Sequence, residues 1–490
     1  MPGQIGKTPE YFSYSQMKNI VDAFEGKITK SVEKEKPPVT RGPAKDEVKL
    51  GEGMQDVLII PGKSLMKSAK DINADKVAKN LTEKGIDVKD KLGVVSGVTA
   101  KVDSKDMEAL KEQGYLVFDN SPRNLLPDVP QVTAYSGKGN AWDMPKIEDI
   151  KWTGTEAINK QGLTGKGEVI AIIDSGYQHP EKPLIAWKDM VDGYKKPVDP
   201  NGHGTHVAGD ALKMAPDAEL VGIRVMNGEG RGRPSDIIKG LQWAINNKEK
   251  YDIGTINMSL GGGPDGAPYY LDPINQAVAK AVDSGMVVVA AAGNSGPGSS
   301  TIGSPADAPS TLTVGSALHP EKLSDFSSRG PTDDNLVKPD VIAPGEFITS
   351  WAVPGSQLNQ IATTVETIRR MTPSQLRKLI IGKPDIAKAL GLPKDILKMD
   401  DKSLEKNVKL RLPPMYKPTE DTVAGPGTSF ASPEVAGIVA NLRQGHPDAS
   451  PKEIKKALMD TADTMGKQYK TTEQGAGFVR ADEAHEELSG

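Results

Sequence analysis

Short apolar runs alternate with amphipathic helical periods over the last two thirds of the chain. The runs EVIAIID, ELVGIRV, IGTINMSL and MVVVAAAG are unalternating and β-branched, as strands covered on both faces require. Helical periods lie between them, in PSDIIKGLQWAINNKEKY and DPINQAVAKAVDSG. Residues 150–490 are therefore predicted to form an α/β domain with a doubly wound, mostly parallel sheet. Functional sites of such sheets lie at the carboxyl ends of the strands.

Residues 56–120 show a different order of periods. DVLIIPG reads as a strand, NADKVAKNLTEKG as a helix, and VKDKLGVVSGVTAKVD as two strands around a Ser-Gly turn. A helix in SKDMEALKEQG and a strand in YLVFDN follow. This βαββαβ order is that of the ferredoxin-like α+β unit, so we expect a separate small domain here.

Three further segments complete the predicted organisation. Residues 1–55 hold one amphipathic helix, SQMKNIVDAFEGKI, followed by a polar, charge-dense stretch, so we expect a partly disordered extension. Residues 121–149 form a connector rich in Pro and Asn. Residues 354–422 repeat apolar positions at three- and four-residue spacing, which predicts a packed helical insertion in the α/β domain.

Composition narrows the classes of partner. The 490 residues carry a formal net charge of only -4, which favours neither nucleic acid nor an anionic membrane. Cysteine is absent, which excludes disulfides, thiol nucleophiles and Cys-ligated metals. No apolar run of about 18 residues and no secretory signal are evident. We expect a cytoplasmic monomer; secretion, by a non-classical route or with the signal already removed, is the alternative.

Polar residues follow the predicted strands at their carboxyl ends. Asp174 ends the run VIAIID. There it is either an acid fixed in one orientation or a residue that only forms a turn. The stretch NGHGTHVAG places His203 and His206 three residues apart at a helix start. A metal pair and a structural histidine are alternatives there, but the glycines flanking His203 favour a functional imidazole. Asn294 follows the run MVVVAAAG, as a turn residue or as a donor to a developing oxyanion.

The stretch VAGPGTSFASPEVAG, residues 423–437, places hydroxyl groups just before a buried helix. A glycine turn capped by Ser or Thr is its simpler interpretation. Pro433 is tolerated only in a first turn, so we expect the helix to begin close to Ser429. The N–H groups of that helix start would stabilise negative charge, and His203 could serve as a base for the serine. Acid, histidine, amide and serine on one sheet edge match the convergent catalytic triad with an oxyanion donor.

Taken together, the motifs resemble those of the subtilases, the subtilisin-like serine proteases of peptidase family S8. The matching pieces are AIIDSG, NGHGTHVAG, NMSLGG, AAGNSGPGS, FSSRGP, APG and GTSFASPEVAG, over roughly residues 165–480. The run IAWKDMVDGYKKPVDPNGHGTHVAGD most resembles the AprX-type branch of the family. Residues 56–120 are similar to the inhibitor-type (I9-like) propeptide of subtilases, which assists folding and blocks the cleft until it is cut off.

The resemblance implies a role for each matching residue. Ser429 is the expected nucleophile and His203 the general base, with Asp174 orienting the imidazole. The amide of Asn294 and the N–H of Ser429 are the expected oxyanion hole. The implied protein is a serine endopeptidase made as a self-processing zymogen, with protein and peptide substrates and its own propeptide as intramolecular inhibitor.

Substrate binding is implied at two edges and one pocket. Extended substrates are expected to pair with edge segments on either side of the cleft, formed by Gly230, Arg231, Gly232, Ser259, Leu260 and Gly261. Ala292 and Gly303 mark a primary pocket lined by small residues. Backbone pairing tolerates many side chains, so we expect broad specificity with an apolar or aromatic residue before the scissile bond.

Two departures from the family pattern bear on these expectations. Phe430 and Glu434 stand where Met and His are usual, which predicts altered packing around an intact triad. Only DALKMAPDA separates the histidine motif from the next strand, where many subtilases have a calcium loop. We therefore expect no metal site and no required cofactor, with weak calcium sites left open.

Two rival interpretations belong to other functional classes. A catalytically silent, subtilase-like binding module is the main alternative, although such proteins usually lose a triad residue. A nucleotide-binding protein is disfavoured because the chain has neither a complete P-loop nor a GxGxxG motif after a strand.

Overall fold

The computed structural model describes residues 11–12, 14–26, 53–68, 71–126, 129–130, 147–264, 266 and 268–490. The polar stretch predicted to be disordered, and most of the predicted connector, lie outside the described residues. The N-terminal elements are Tyr11–Phe12 (β1), Tyr14–Glu25 (α1), Gln55–Pro61 (β2), Lys63–Ser68 (α2), Ala74–Thr82 (α3), Asp87–Leu92 (β3), Gly97–Val102 (β4), Ser104–Glu112 (α4), Tyr115–Asp119 (β5), Arg123–Asn124 (β6) and Val129–Pro130 (β7).

From β2 to β5 the larger elements follow the order βαββαβ, with α2 as a short addition. The strands form an antiparallel sheet in the order β3-β4-β2-β5. Both long helices begin at a side-chain cap, because Asn73 accepts from the N–H of Lys76 and Asp103 from that of Asp106. Ser96, in the predicted turn between β3 and β4, adopts a left-handed backbone conformation with φ 52°.

The remaining elements belong to the α/β domain. In chain order they are Asp149–Trp152 (α5), Thr155–Lys160 (α6), Val169–Asp174 (β8), Ala186–Asp189 (β9), His203–Met214 (α7), Glu219–Arg224 (β10), Arg231–Gly232 (β11), Pro234–Tyr251 (α8), Ile253–Met258 (β12), Pro273–Asp283 (α9), Val287–Ala291 (β13), Leu312–His319 (β14), Lys322–Leu323 (β15), Val341–Pro344 (β16), Ile348–Trp351 (β17), Gln357–Arg369 (α10), Pro373–Gly382 (α11), Pro384–Ala389 (α12), Asp401–Lys409 (α13), Tyr416–Thr419 (β18), Thr422–Gly425 (β19), Thr428–Gly445 (α14), Pro451–Asp460 (α15), Thr471–Gln474 (α16) and Ala481–Ser489 (α17).

One large sheet organises this domain. Its order is β15-β14-β13-β12-β8-β10-β9, with β16 pairing β14. All of these pairs are parallel except the pair of β14 and β15. The predicted α/β class with a mostly parallel sheet is therefore confirmed. The parallel directions bring the ends of β8, β12 and β13 to one edge.

Both faces of the large sheet are covered. Along β8, Val169, Ala171 and Ile173 pack in one apolar cluster, whereas Ile170 and Ile172 pack in a second cluster on the opposite face. Helices α8 and α9 cover the first face, and α7 and α14 cover the second. Burial on both faces explains why the strand sequences do not alternate.

The predicted insertion consists of packed helices. Helices α10 to α13 bury an apolar side chain or several each, among them Ile361, Leu376, Ile386 and Leu404. Strand β19 returns the chain from these helices to α14, and pairs antiparallel with β17 and β18. Among the described residues, no helix has the length and apolar character needed to cross a membrane.

Candidate active site

The carboxyl end of β8 brings an acid beside a histidine. Asp174 is the last residue of β8, and its Oδ1 accepts a 2.6 Å hydrogen bond from the N–H of Ser175. The same oxygen lies 2.8 Å from Nδ1 of His203, the first residue of α7. An ionised carboxylate only accepts hydrogen bonds, so Nδ1 carries the hydrogen and Nε2 presents the lone pair. His203 therefore has one basic nitrogen, on the side of the ring away from the acid.

The close approach of α7 to β8 depends on Gly204. An ideal Cβ at this residue would lie 2.3 Å from the carbonyl oxygen of Gly176 and 3.1 Å from the Cβ of Asp174. With no side chain, Gly204 instead donates its N–H to the hydroxyl of Ser175 at 2.9 Å. A side chain at this position would push α7, and His203 with it, away from Asp174.

The turn before His203 is held by the buried carboxylate of Asp199. This group accepts hydrogen bonds from the N–H of Gly202, from the N–H and hydroxyl of Thr205, and from the hydroxyl of Ser175, all within 2.9 Å. Burial raises the pKa of Asp199, and these hydrogen bonds oppose the rise. Asp199 was not among the predicted site residues, because it lies three residues before the N-cap Gly202 and so outside the usual capping position.

Ser429 lies in the first turn of α14. Its side chain is 3% exposed, and its Oγ donates to the carbonyl oxygen of Ser259 at 3.3 Å. In return, the hydroxyl of Ser259 donates to the carbonyl oxygen of Ser429 at 2.7 Å. Ser259 was predicted only as part of a substrate edge. It is also linked to the predicted nucleophile by two hydrogen bonds.

Helix α14 begins beside Ser429, as expected, but the expectation that Pro433 stands in its first turn is wrong. Helix α14 begins at Thr428, so Pro433 is its sixth residue. A proline has no N–H, and it cannot donate to the carbonyl four residues earlier, which belongs to Ser429. The hydroxyl of Ser259 supplies that hydrogen bond instead. The proline is therefore accommodated by a side chain from the end of β12.

The aromatic ring of Phe430, the residue after Ser429, packs beside His203 and His206. Its centroid lies 5.5 Å from that of His203 and 4.1 Å from that of His206. Both nitrogens of His206 are used within the protein, Nδ1 at 2.9 Å from Asp210 and Nε2 at 2.9 Å from the carbonyl of Val423. His206 thus secures β19, which leads into α14.

No group of three or more His, Asp or Glu among the described residues is arranged to hold a metal ion.

Asn294 faces the start of α14. Its Oδ1 accepts hydrogen bonds of 2.9 Å from both the N–H and the hydroxyl of Thr428. This fixes the carbonyl end of the amide, and Nδ2 lies 3.6 Å from the place of an ideal Cβ on Gly427. The N–H nitrogen of Ser429 lies 3.7 Å from the same point. Two N–H donors therefore border one small space beside Ser429.

The two predicted substrate edges have a strand of this chain between them. The N–H of Gly261 donates to the carbonyl of Leu125 at 2.9 Å, and the N–H of Leu125 donates to the carbonyl of Gly230 at 3.1 Å. Strand β6 continues the contact by antiparallel pairing with β11, in which Arg231 opposes Asn124 and Gly232 opposes Arg123.

The residues predicted to form the primary pocket have little side-chain volume. Ala292 is 2% exposed and follows β13. An ideal Cβ on Gly303 would lie 2.5 Å from the backbone of Gly263, so this wall is formed by two backbone segments in contact. Leu260, two residues after the end of β12, is buried.

Glu434, which with Phe430 makes up the first departure from the family pattern, lies in a buried charge cluster. Burial raises its pKa well above the ordinary 4.5, and the nearby carboxylate of Asp149 adds to the rise. Lys213 pairs with Asp149 at 2.7 Å and opposes the rise.

Comparison with known proteins agrees with this architecture. Residues 165–477 match the model of the subtilase family. The match covers more than half of the chain, so the chain belongs to the subtilase family, as its motifs predicted. It is a subtilisin-like serine endopeptidase, a hydrolase that acts on peptide bonds of proteins.

Curated relatives support the same assignment. The chain is 34% identical to serine protease AprX of Bacillus subtilis (strain 168) over 351 residues, which cover 66% of this chain and 67% of that protein. It is 35% identical to subtilisin E of the same organism over 292 residues, 56% of this chain and 68% of the relative. With subtilisin Savinase of Lederbergia lenta it shares 30% identity over 338 residues, 67% of this chain and 94% of the relative.

Proposed function

We propose that this endopeptidase works through Ser429, His203 and Asp174. The Oγ of Ser429 attacks the scissile carbonyl while its proton passes to Nε2 of His203, and Asp174 stabilises the resulting imidazolium. His203 then gives the proton to the leaving amine, and the C–N bond breaks to leave an acyl-enzyme. Water hydrolyses this ester by the same proton route. The 2.8 Å contact between Asp174 and His203 is the observation that carries the proposal.

The resting hydrogen bond of Ser429 is compatible with this role. At 3.3 Å, its bond to the carbonyl of Ser259 is long for a hydroxyl donor and is therefore weak. Contacts of a catalytic hydroxyl commonly tighten only in the complex with the substrate that is cleaved. Substrate binding at the same edge would allow the hydroxyl to turn from Ser259 to Nε2 of His203.

We assign the oxyanion hole to Nδ2 of Asn294 and the N–H of Ser429. Support comes from the orientation of the Asn294 amide, whose oxygen is engaged by Thr428 at 2.9 Å. Negative charge on the substrate oxygen would be stabilised by two donors fixed before the reaction. The N-terminus of α14 adds the favourable end of a helix dipole.

Specificity is proposed to be broad, with an apolar or aromatic residue before the scissile bond. Support comes from the backbone pairing of residues 123–125 with both edges of the cleft, since such pairing does not depend on side-chain identity. Ala292 and Gly303 carry no charge, which favours an uncharged side chain beside them. A peptide series that varies only this position tests the proposal, and equal kcat/KM for Phe, Asp and Lys would contradict it.

We further propose that residues 56–120 act as an inhibitory propeptide. The segment that follows them occupies the cleft between Gly230 and Gly261, as a substrate would. Opposite charges meet beside it, in the ion pairs of Arg233 with Asp56 and of Lys239 with Asp90. The N–H of Ser235, at the start of α8, donates to the side chain of Asn120 at 3.0 Å.

An active-serine probe tests the proposed nucleophile against the silent binding module. A fluorophosphonate should label the wild-type protein and should not label Ser429→Ala. Ser432→Ala is the matched control, because Ser432 lies one turn along the same helix and its hydroxyl is 2.9 Å from that of Ser259. Labelling of Ser429→Ala, or no labelling of the wild type after processing, would contradict the proposal.

Self-processing is tested separately on the purified full chain. We expect the wild type to cut itself between Asn120 and Ser136 and Ser429→Ala to remain full length. N-terminal sequencing of the product identifies the bond. Identical maturation of the pure Ser429→Ala protein would show that another protease makes the cut.

A further inference from the structure

The N-terminal helix α1 buries one face completely. Met17, Ile20 and Val21 are at most 4% exposed, and their spacing places them on one side of the helix. Asn19, between them in sequence, is exposed. A helix of 12 residues is marginal alone in water, so this one depends on the surface beneath it.

That surface belongs to the helical insertion of the catalytic domain. Helix α1 packs against α10 and α12, and its apolar residues share one cluster with those of the insertion. At the end of α1, Nζ of Lys383 donates to the carbonyl of Phe24 and lies 5.3 Å from the centroid of its ring. On the other side, Lys18 pairs with Glu229 at 3.5 Å.

The contact lies beside the cleft without entering it. At the start of α10, the N–H of Gln357 donates to Pro200 at 3.0 Å and the N–H of Leu358 donates to Asn201 at 2.9 Å. These acceptors belong to the turn that precedes His203. Glu229 directly precedes the cleft edge at Gly230. Helix α1 therefore holds the N-terminal segment to the catalytic domain at a place separate from the substrate-like strand 123–126.

We propose that α1 is an anchor that keeps the cut N-terminal segment bound to the insertion and so delays the appearance of activity. The proposal rests on the self-processing described above. A cut between residues 120 and 136 leaves α1 and the unit 56–120 on one fragment, which also keeps the cleft strand 123–126 when the cut falls after residue 126. That fragment is bivalent, since it contacts the catalytic domain through α1 and through the propeptide unit with its strand.

Bivalency gives the expected size of the effect. When one contact opens, the other keeps the opened segment close to its binding surface. The local concentration of that segment is then high, on the order of millimolar for short linkers, so rebinding competes with dissociation of the whole fragment. Loss of the α1 contact should therefore speed release of the whole fragment at least about tenfold. The rate of the cut itself should not change, because Ile20 packs in the cluster shared with the insertion, whereas the pairing inside the 120–136 window is made by Tyr11 and Phe12 of β1.

The test compares Ile20→Asp with Asn19→Asp in the full chain. Both variants add one negative charge to the same helix, but only the first places it in the buried face. After purification and a shift to processing conditions, gel electrophoresis follows the cut and a small chromogenic peptide follows the activity. We expect equal cutting rates for both variants and the wild type. The interval between the cut and the appearance of activity should be at least about tenfold shorter for Ile20→Asp than for the wild type, and it should be unchanged for Asn19→Asp.

Two further measurements separate the outcomes. Mature Ile20→Asp should reach the wild-type kcat/KM, because the altered helix has left the enzyme. Lys383→Ala should also shorten the interval between the cut and the appearance of activity, because it removes the contact with α1 from the insertion. Equal intervals in Ile20→Asp and the wild type, with normal cutting, would overturn the anchor alone. A wild type that is never cut would overturn self-processing and the anchor together.

Discussion

Replacing Glu346 by Gln should change how the stability of the protein depends on pH. Glu346 lies between β16 and β17 and is 6% exposed. The carbonyl of the preceding residue, Gly345, accepts a 2.7 Å hydrogen bond from the N–H of Gly427, two residues before Ser429. Burial raises the pKa of Glu346 from 4.5 to about 7, a rise opposed by a hydrogen bond from Ser324.

The sign of the effect follows from the proton count of the two states. Between pH 4.5 and about 7, folded Glu346 keeps its proton whereas the unfolded chain has lost it. The folded state then binds more protons, so the free energy of unfolding falls as pH rises through this window. The free energy of unfolding falls by about 1.4 kcal/mol for each pH unit in this window, and by about 3 kcal/mol over the whole window. The stabilisation is fully present below pH 4.5 and is lost above about pH 7.

The Glu346→Gln variant preserves the shape of the side chain and removes its titration. Urea unfolding at several pH values between 4.5 and 8, in a Ser429→Ala background to prevent self-digestion, measures the difference. The background protein should lose about 3 kcal/mol more than the Glu346→Gln protein over this range. Glu321→Gln, an exposed position before β15, is the matched control and should follow the background. Parallel curves for Glu346→Gln and the background would refute the reasoning.

Three further predictions concern the active site and its metal requirement. Asn294→Ala should lower kcat on a peptide substrate about 10²–10³-fold, or about 2.7–4 kcal/mol, as loss of an oxyanion donor does in a related subtilisin; a change below about threefold would exclude this role. The kcat/KM should fall on the acidic side of a pH 5–8 profile because protonated His203 cannot accept the proton of Ser429; a flat profile would contradict its role as base. EDTA should leave the melting temperature unchanged, because α7 ends at Met214 and β10 begins at Glu219, too close together for a loop that wraps a cation with six or more oxygens; a fall of several degrees would show a structural cation.

The parts of the fold that could be predicted are those encoded in short stretches. Apolar runs located the strands of the large sheet, and the polar residues after them located Asp174 and Asn294 at one edge. These signals are local because a parallel strand is buried on both faces and its functional residue follows at its end. The pairing of Asp174 with His203 was implied by the resemblance to the subtilase motifs and not by the strand pattern, since His203 begins a helix.

The contacts that could not be predicted join residues far apart in the chain. Nothing near Met17 indicates that its helix packs on the insertion, more than 300 residues later. An amphipathic period shows that a face must be buried, but it does not identify the partner. The role of Asp199 could not be predicted for a different reason, because it accepts from Gly202 and Thr205 although it lies three residues before the N-cap, where the capping pattern expects no carboxylate.

The proline in α14 shows how such a distant contact shapes the site. Pro433 leaves the carbonyl of Ser429 without its helical donor, and a buried carbonyl left unpaired would cost about 1–3 kcal/mol. The hydroxyl of Ser259, 170 residues away in sequence, supplies the missing bond at 2.7 Å. Because that hydroxyl has a single hydrogen, Ser432 must donate to Ser259 across their 2.9 Å contact. The segment that follows β12 and the helix that carries Ser429 are thereby fastened to each other at one residue.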